Sequence, residues 1–364
     1  MSDLEARIRQ IIKLQGPITV SQYMMLALGD PKDGYYQTKK PFGREGDFIT
    51  APEVSQMFGE LIGIWAINSW VSLKKPKDFI LCEMGPGRGT LMDDVLRTIK
   101  KLAPDCLNAA EVNLIETSQR LIEEQKTKLT HHQISIKWFS AFSDIQNKPI
   151  ILFANELLDA LPINQFVKLD GKWHERLITT GHNDTFAFVL GGNQLDDHAL
   201  PAKYHSLPDE SVFEFSPIRN HLVEEIAQYI AKNRGAGLII DYGSDGLPYG
   251  DTLQALSHHQ YKNIFEAPGH HDLTSHVDFS SLKVIAEQQD CQTAILEQGE
   301  FLIRMGLLER AGQLGRGKTV DVQNDIETQV NRLAAPDQMG KLFKIFALSD
   351  KTTDIDPVFY NNTL

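Results

Sequence analysis

Leu4, Ile8, Ile11 and Ile12 recur at i, i+4, i+7 and i+8, a spacing that predicts an opening amphipathic helix with an apolar stripe that must pack on something. A polar, glycine-bearing segment follows. Between Asp30 and Phe48, Pro31, Gly34, Pro41, Gly43 and Gly46 alternate with Tyr35, Tyr36 and Phe42. The aromatic side chains mark this stretch as an ordered loop and not a flexible linker. Thr50-Ala-Pro-Glu53 reads as a capping box, with Thr50 accepting from the backbone and Glu53 reaching back, and a helix is expected from there to about Leu73.

From Asp78 the period changes. Phe79–Cys82, Val112–Ile115, Ile134–Trp138 and Ile150–Ala154 are short apolar runs of the kind buried on both faces, and helical segments near Thr90–Leu102 and Ser118–Leu129 separate them. This alternation predicts an α/β fold with a parallel sheet. Leu238–Ile240 is a fifth such run, but it comes long after the fourth, so a segment is inserted between strands 4 and 5. Within it, Asp170-Gly171 joins two alternating stretches in a hairpin signal, Thr185–Leu190 adds a candidate strand, and Val223–Ala231 reads as a helix leading back to the sheet. Strands near Thr293–Leu296 and Leu342–Ala347, with helices near Phe301–Ala311 and Val322–Leu333, complete the chain. The expected layout is an N-terminal helical extension over residues 1–75, a core of residues 76–160 and 236–350, and a β-rich inserted subdomain over residues 161–235.

Composition narrows the class. The chain has 364 residues, 42% hydrophobic and 23% charged, which excludes disordered, collagen-like and disulfide-scaffold classes. Lys plus Arg number 36 against 48 acids, a formal charge of −12 that disfavours nucleic-acid phosphates and attracts basic protein segments. Cys82, Cys106 and Cys291 have no Cys-x-x-Cys spacing, so neither a disulfide framework nor a thiolate metal site is indicated. Glu60, Asn68, Ser69 and Ser72 interrupt the most apolar stretch, Phe58–Leu73, and about 18 uninterrupted apolar residues are wanted for a membrane span. No membrane span is expected. The residues Met1–Arg7 carry acids and lack the pattern of a signal or transit peptide, so a cytoplasmic, bacterial location is the expectation.

Glu83-Met-Gly85-Pro86-Gly87-Arg-Gly89-Thr90 lies just past the first buried strand and just before a helix. Glycines there permit a tight turn and let backbone N–H groups approach a ligand; the plainer reading is a tight strand-to-helix connection. Dinucleotide loops of the G-x-G-x-x-G type need a glycine where Thr90 stands, and no lysine follows Gly89 as a nucleotide triphosphate loop requires. Glu83, two residues before the first glycine, suits a cationic ligand such as S-adenosylmethionine better than a pyrophosphate, since like charges repel. Glu116, at the end of the second strand, is placed to accept from ribose hydroxyls, or is a solvated strand-end acid. Together these residues resemble the Rossmann-like class I methyltransferases.

The fourth strand runs into Phe153-Ala-Asn-Glu-Leu-Leu-Asp-Ala-Leu-Pro162. Open α/β sheets hold their chemistry beyond the carboxyl ends of their strands, which makes Asn155, Glu156 and Asp159 candidates. Five motifs in order, Gly43–Gly59, Glu83–Thr90, Asn155–Pro162, Ile239–Gly243 and Asp272–Phe279, resemble the MidA family, which includes the mitochondrial complex I assembly methyltransferase. Leu157-Leu158 departs from the aromatics that relatives often carry. The resemblance implies transfer of a methyl group from S-adenosylmethionine to an arginine of a respiratory NADH dehydrogenase (complex I) subunit, and hence a protein substrate. A guanidinium is planar and always protonated, so a site that methylates it needs carboxylates to fix it and polarise one nitrogen. Glu156 and Asp159 are the candidates for this, with Asp241 and Tyr242 completing the pocket; Asp159 as a helix cap and Asp241 as a loop anchor are the plainer roles.

The same resemblance puts Asp47, Thr50 and Ser55 near the cofactor, although an N-cap explains Thr50 without a ligand. Phe142 either flanks the adenine or belongs to the core. His271, Asp272 and His276 invite a metal reading, but no His-Glu-x-x-His array is present and no metal is expected. No Gly-x-Ser-x-Gly elbow supports a serine hydrolase. Two other readings remain: a small-molecule methyltransferase whose acceptor fills a pocket of the insertion, and an assembly chaperone that binds S-adenosylmethionine without turning it over. The insertion is the expected partner surface, for a protein substrate or for a homodimer.

Overall fold

The structure is a computed structural model that describes residues 3–38, 50–181, 184–195, 200, 204–246, 250–257 and 260–354. Asp47, the first seven residues of the Gly43–Gly59 motif and the pair His258-His259 lie outside the described residues. The chain divides into two compact units. The larger comprises Ile49–Leu157, Leu222–Asp245 and Phe279–Leu364; the smaller comprises Met1–Phe48, Leu158–His221 and Gly246–Asp278.

In the larger unit, strands β1 (Phe79–Met84), β2 (Ala110–Ile115), β3 (Ile136–Phe139), β4 (Ile150–Asn155), β5 (Gly235–Ser244), β6 (Cys291–Glu297) and β7 (Phe343–Asp350) run side by side in the order β6-β7-β5-β4-β1-β2-β3. The pairs from β3 through β5 are parallel, with Glu83 opposite Leu114 on one side and Phe153 on the other, and Asn155 opposite Ile240. β7 is antiparallel to both β5 and β6. Every residue of β1 is buried, as its continuous apolar run requires once helices cover both faces. Helices α1 (Ala51–Val54), α2 (Gln56–Ser72), α3 (Thr90–Leu102) and α4 (Gln119–Leu129) belong to this unit. Phe58, Ile62 and Trp65 of α2 and Leu91, Val95 and Ile99 of α3 pack with Leu81, Phe153, Leu238 and Ile345 in one core.

This order has a consequence for ligand binding. From β1 the chain proceeds outward to β2 and β3, then returns to place β4 on the opposite side of β1. The gap beyond the carboxyl ends of β1 and β4 is therefore a topological switch point, where open α/β sheets leave a crevice. Glu83 and Asn155 come from these two strands.

In the smaller unit, strands Ile18–Thr19, Lys172–Thr180, Asn164–Leu169 and Val212–Phe215 form an antiparallel sheet in that order, with Phe186–Leu195 also paired to Lys172–Thr180. The Asp170-Gly171 turn has φ of 51° and 73°, the left-handed pair that a two-residue hairpin demands. The opening helix, Asp3–Gln15, buries Leu4, Ile8 and Ile12 in a cluster with Ile163, Ile178 and Phe186. That cluster joins residues 3–38 to the β-rich segment, whereas the sequence pattern grouped all of residues 1–75 together. Arg219, itself buried, donates to the carbonyls of Asp159 (2.9 Å), Leu161 (3.2 Å), Ser275 (3.3 Å) and His276 (2.8 Å) and so ties two turns together.

Three local expectations are corrected. Thr50 precedes α1, but its side chain makes no capping bond; Glu53 instead accepts from Thr90 Oγ1 at 2.7 Å, and the working cap is Ser55, which accepts from Met57 N at 3.2 Å. A helix at Val20–Gly29, capped reciprocally by Thr19 and Gln22, occupies part of the expected polar segment. The single helix expected at 301–311 is broken at Gly306, whose φ of 95° ends one helix and starts the next.

Glu60 in α2 ties the larger unit's helices together. Its carboxylate accepts from Arg310 Nε (2.6 Å) and Nη2 (3.0 Å) and from Arg97 Nη1 (2.9 Å). Burial raises this carboxyl, but the hydrogen bonds from Arg310 and Arg97 outweigh it and the net shift is downward. A lowered carboxyl contributes stability above its unfolded value, near about 4, and loses it as pH falls through the folded value. Glu60→Gln should therefore cost about 1–3 kcal/mol in urea unfolding at neutral pH. The difference from the parent should shrink below about pH 4.

Candidate functional site

The loop after β1 is built on backbone conformations open to glycine. Gly85, Gly87 and Gly89 have φ of 63°, 52° and 77°, all left-handed. A Cβ on Gly85 would stand 2.8 Å from Leu157 Cδ1, so alanine meets both strain and a clash. Gly85 N donates to Ile115 O (3.0 Å) and Gly89 N to Pro86 O (2.7 Å), which folds the loop back against the end of β2 before α3 begins.

Beneath this loop lies Glu83. It is 2% exposed, and its Oε2 has no hydrogen-bond partner among the described residues. Burial pushes its carboxyl up to about 8; the Met92 N–H, which donates to it, pulls it down, and the charge of Glu116 pushes it up again. A buried carboxylate with a vacant oxygen is expensive unless a cation or donor answers it. Asn155 Oδ1, at the end of β4, is a second buried acceptor with no partner among the described residues. These two acceptors flank the switch point, and they fit a ligand that brings positive charge and N–H donors.

Glu116 is also buried, just past the end of β2. Its Oε1 accepts from Ser118 N (2.8 Å) and its Oε2 from Gln125 Nε2 (3.3 Å); burial raises its carboxyl, partly offset by these bonds. Gln125 was not visible as a site residue in the sequence. Its Nε2 also donates to Gly87 O (2.7 Å), and its Oε1 accepts from Trp138 Nε1 (2.8 Å). One fully buried amide thus joins the glycine loop, the acid after β2 and strand β3. The available signal was a glutamine inside the apolar stripe Leu121, Gln125, Leu129 of α4.

The other candidates separate into two groups. Glu156 follows β4 with φ of 51°, an uncommon left-handed conformation for a residue with a Cβ, and its N–H donates to Ile240 O at 2.8 Å. Its Oε1 accepts from Ala51 N (3.1 Å) and Asn155 Nδ2 (2.9 Å). Thr50 and Ser55, both buried, flank α1, which this bond fixes from one end while the Glu53 to Thr90 bond fixes it from the other. Asp241, fully buried on β5 one position beyond Ile240, accepts from Tyr242 N at 2.9 Å. Phe142 is buried with its ring edge-to-face on Tyr229, at 5.3 Å between centroids.

Asp159, by contrast, belongs to the smaller unit, where it is buried and its carbonyl accepts from Ser275 N (3.0 Å) and Arg219. Asp272 and His276 lie in the same unit. Asp272 accepts from Tyr36 Oη (3.0 Å and 3.2 Å), and burial and then Arg219 lower the His276 imidazole and favour its neutral form.

Residues 61–296 match the family of S-adenosyl-L-methionine-dependent methyltransferases. The mitochondrial protein arginine methyltransferase NDUFAF7 of Xenopus laevis is 36% identical over 93% of this chain and 82% of its own length. The Homo sapiens protein of that name is 35% identical over 93% of this chain and 81% of its own, and the Drosophila melanogaster homolog is 35% identical over 95% and 84%. A Burkholderia thailandensis protein crystallised with S-adenosyl-homocysteine shares the fold, with a TM-score of 0.82 at 23% identity, covering 96% of this chain and 92% of that one. The expectation of a cytoplasmic, bacterial location is overturned by these relatives, which are mitochondrial proteins; acids among the opening residues do not carry that information. No helix among the described residues is long and apolar enough to cross a membrane.

S-adenosyl-homocysteine carries an ammonium group, so its binding should favour ionised Glu83. Calorimetry should show affinity rising with pH until about 8, where free Glu83 is already ionised, and a plateau above, with proton release on binding below that pH. Glu83→Gln should bind about tenfold or more weakly with a flat profile. Gln125→Leu strands the Gly87 carbonyl and the Trp138 N–H and should cost about 1–3 kcal/mol of stability in thermal unfolding.

Proposed function

Because this chain belongs to the S-adenosyl-L-methionine-dependent methyltransferases, we propose that it methylates an arginine side chain of a protein substrate, a subunit of respiratory NADH dehydrogenase (complex I). Relatives named protein arginine methyltransferase, aligned over 93% of the chain, support the acceptor, as do half-buried Glu156 just after β4 and buried Asp241 on the neighbouring β5. The feature that carries the reading is Glu83 Oε2, a buried acceptor beneath the glycine loop and without a partner among the described residues.

The cofactor supplies an electrophilic methyl group when bound; the residues do the rest. Glu83 and the left-handed glycines hold its charged end, with Pro86 shaping the turn between Gly85 and Gly87, and Glu116 takes the ribose hydroxyls. Phe142, Asn155, Thr50 and Ser55 line the same site. Glu156 and Asp241 stand on neighbouring strands, since Asn155 is opposite Ile240, and their carboxylates serve to orient a guanidinium and polarise one nitrogen. The rate then comes from alignment and from exclusion of water that would screen these acids. The strained φ of Glu156 supports a functional role, because a conformation of that cost persists only where the surroundings impose it. Asp159, organised by Arg219 in the smaller unit, is the third acid proposed for catalysis, and the β-rich strands of that unit are proposed to carry the partner surface.

Glu156→Gln keeps the side chain's shape and removes its charge. It should lower methyl transfer by about 100-fold or more while S-adenosyl-homocysteine still binds. In cells lacking the protein, mass spectrometry of complex I subunits should show one arginine without its methyl groups. Unchanged methylation would remove the substrate claim; transfer to small guanidino compounds but not to protein would favour a small-molecule enzyme.

A further inference from the structure

Away from the β1 and β4 strand ends, Asp93, His131 and His132 converge where the first turn of α3 meets the 3-10 turn that ends α4. His131 and His132 are adjacent in sequence, and in a regular helix their rings would diverge. The 3-10 turn Thr130–His132, stopped by Gln133 at φ 57°, instead brings the rings to 4.0 Å between centroids at a tilt of 38°. Both Nε2 atoms face Asp93 Oδ1, at 3.2 Å from His131 and 2.7 Å from His132.

The protons decide what this arrangement is for. His131 Nδ1 lies 2.9 Å from Lys128 O, and a carbonyl only accepts, so Nδ1 carries the hydrogen. In the tautomer with that hydrogen alone, the lone pair of Nε2 points toward a carboxylate oxygen. That is two acceptors face to face, relieved only by a second proton or by a cation between them. A backbone carbonyl taking the other ring N–H is the usual support of a metal-bound histidine. Two ligands about 2.0–2.1 Å from one zinc ion at a tetrahedral angle stand about 3.3 Å apart, close to the His131 to Asp93 separation.

We propose that Asp93, His131 and His132 form a binding site for a first-row transition-metal ion such as Zn2+, with water completing the shell on the exposed side. Asp93 and the two Nε2 atoms are the protein ligands, and His132 then carries its one proton on Nδ1. The ion would clamp the end of α4 to the first turn of α3, where Asp93 N donates to Gly89 O at 3.0 Å, and so stiffen the helix that follows the glycine loop. Lys100 opposes a cation here, and the Nζ of Lys128 donates to Thr90 Oγ1 at 2.8 Å.

The test is calorimetric titration of the full chain, stripped with EDTA, with zinc chloride, alongside thermal unfolding with and without the ion. One Zn2+ per chain and a raised Tm are expected. His131→Ala, at an exposed ring, should weaken binding about tenfold or more and abolish the Tm shift. Asp93→Asn, nearly isosteric, should do the same and decides the matter if the first variant fails to fold. Absence of stoichiometric binding by the parent, or a folded variant that binds as tightly as the parent, would overturn the site; the other histidines would then account for any zinc taken up.

Discussion

The candidate site depends on one arrangement: a carboxylate sealed at the end of a central strand, with one oxygen that no described residue satisfies. Glu83 sits where every residue of β1 is buried, and the cost of ionising it there is visible as a carboxyl pushed up to about 8. Placing an acid at that depth is destabilising for the fold alone. We propose that its counterpart is a cation that arrives with the ligand, in the same crevice that the strand order opens between β1 and β4.

The surroundings hold that arrangement rather than soften it. Three left-handed glycines turn the chain over the acid, a Cβ on Gly85 would have to displace the end of the Leu157 side chain, and Gln125 ties Gly87, Glu116 and Trp138 into one polar network. On the other strand, Glu156 is kept in a left-handed conformation by its bond to Ile240, and its carboxylate anchors α1 through Ala51. Helix α1 is anchored again by Glu53 on Thr90. The residues proposed to bind the cofactor and the residue proposed to act on the acceptor are thus parts of one hydrogen-bonded assembly, so substitutions among them should not behave additively.

Much of this was legible in the sequence, and the reason is physical. Strands β1, β4 and β5 hold continuous apolar runs because both their faces are covered, and three closely spaced glycines after β1 suit a loop that wraps a ligand. The Asp170-Gly171 hairpin is similarly local. What escaped depends on partners distant in the chain. Thr50 to Glu53 has the letters of a capping box, yet Glu53 gains more by reaching Thr90 on another helix. Gln125 and Arg219 look like ordinary helix residues until the carbonyls they satisfy are brought to them by the fold. The break at Gly306 and the helix Val20–Gly29 were hidden because one glycine, or one short amphipathic stretch, weighs little without its packing. The chain's location was misread for a different reason, since terminal charge says nothing of the compartment its relatives occupy.

The central claim is that the crevice between β1 and β4 receives a cationic amino-acid nucleoside and not a phosphate-bearing dinucleotide. Side-by-side calorimetry of the full chain with S-adenosyl-homocysteine and with NADH tests it most directly. Saturable, one-to-one binding of the first with no heat from the second is the result this account requires. Tight binding of NADH, with S-adenosyl-homocysteine ignored, would contradict it.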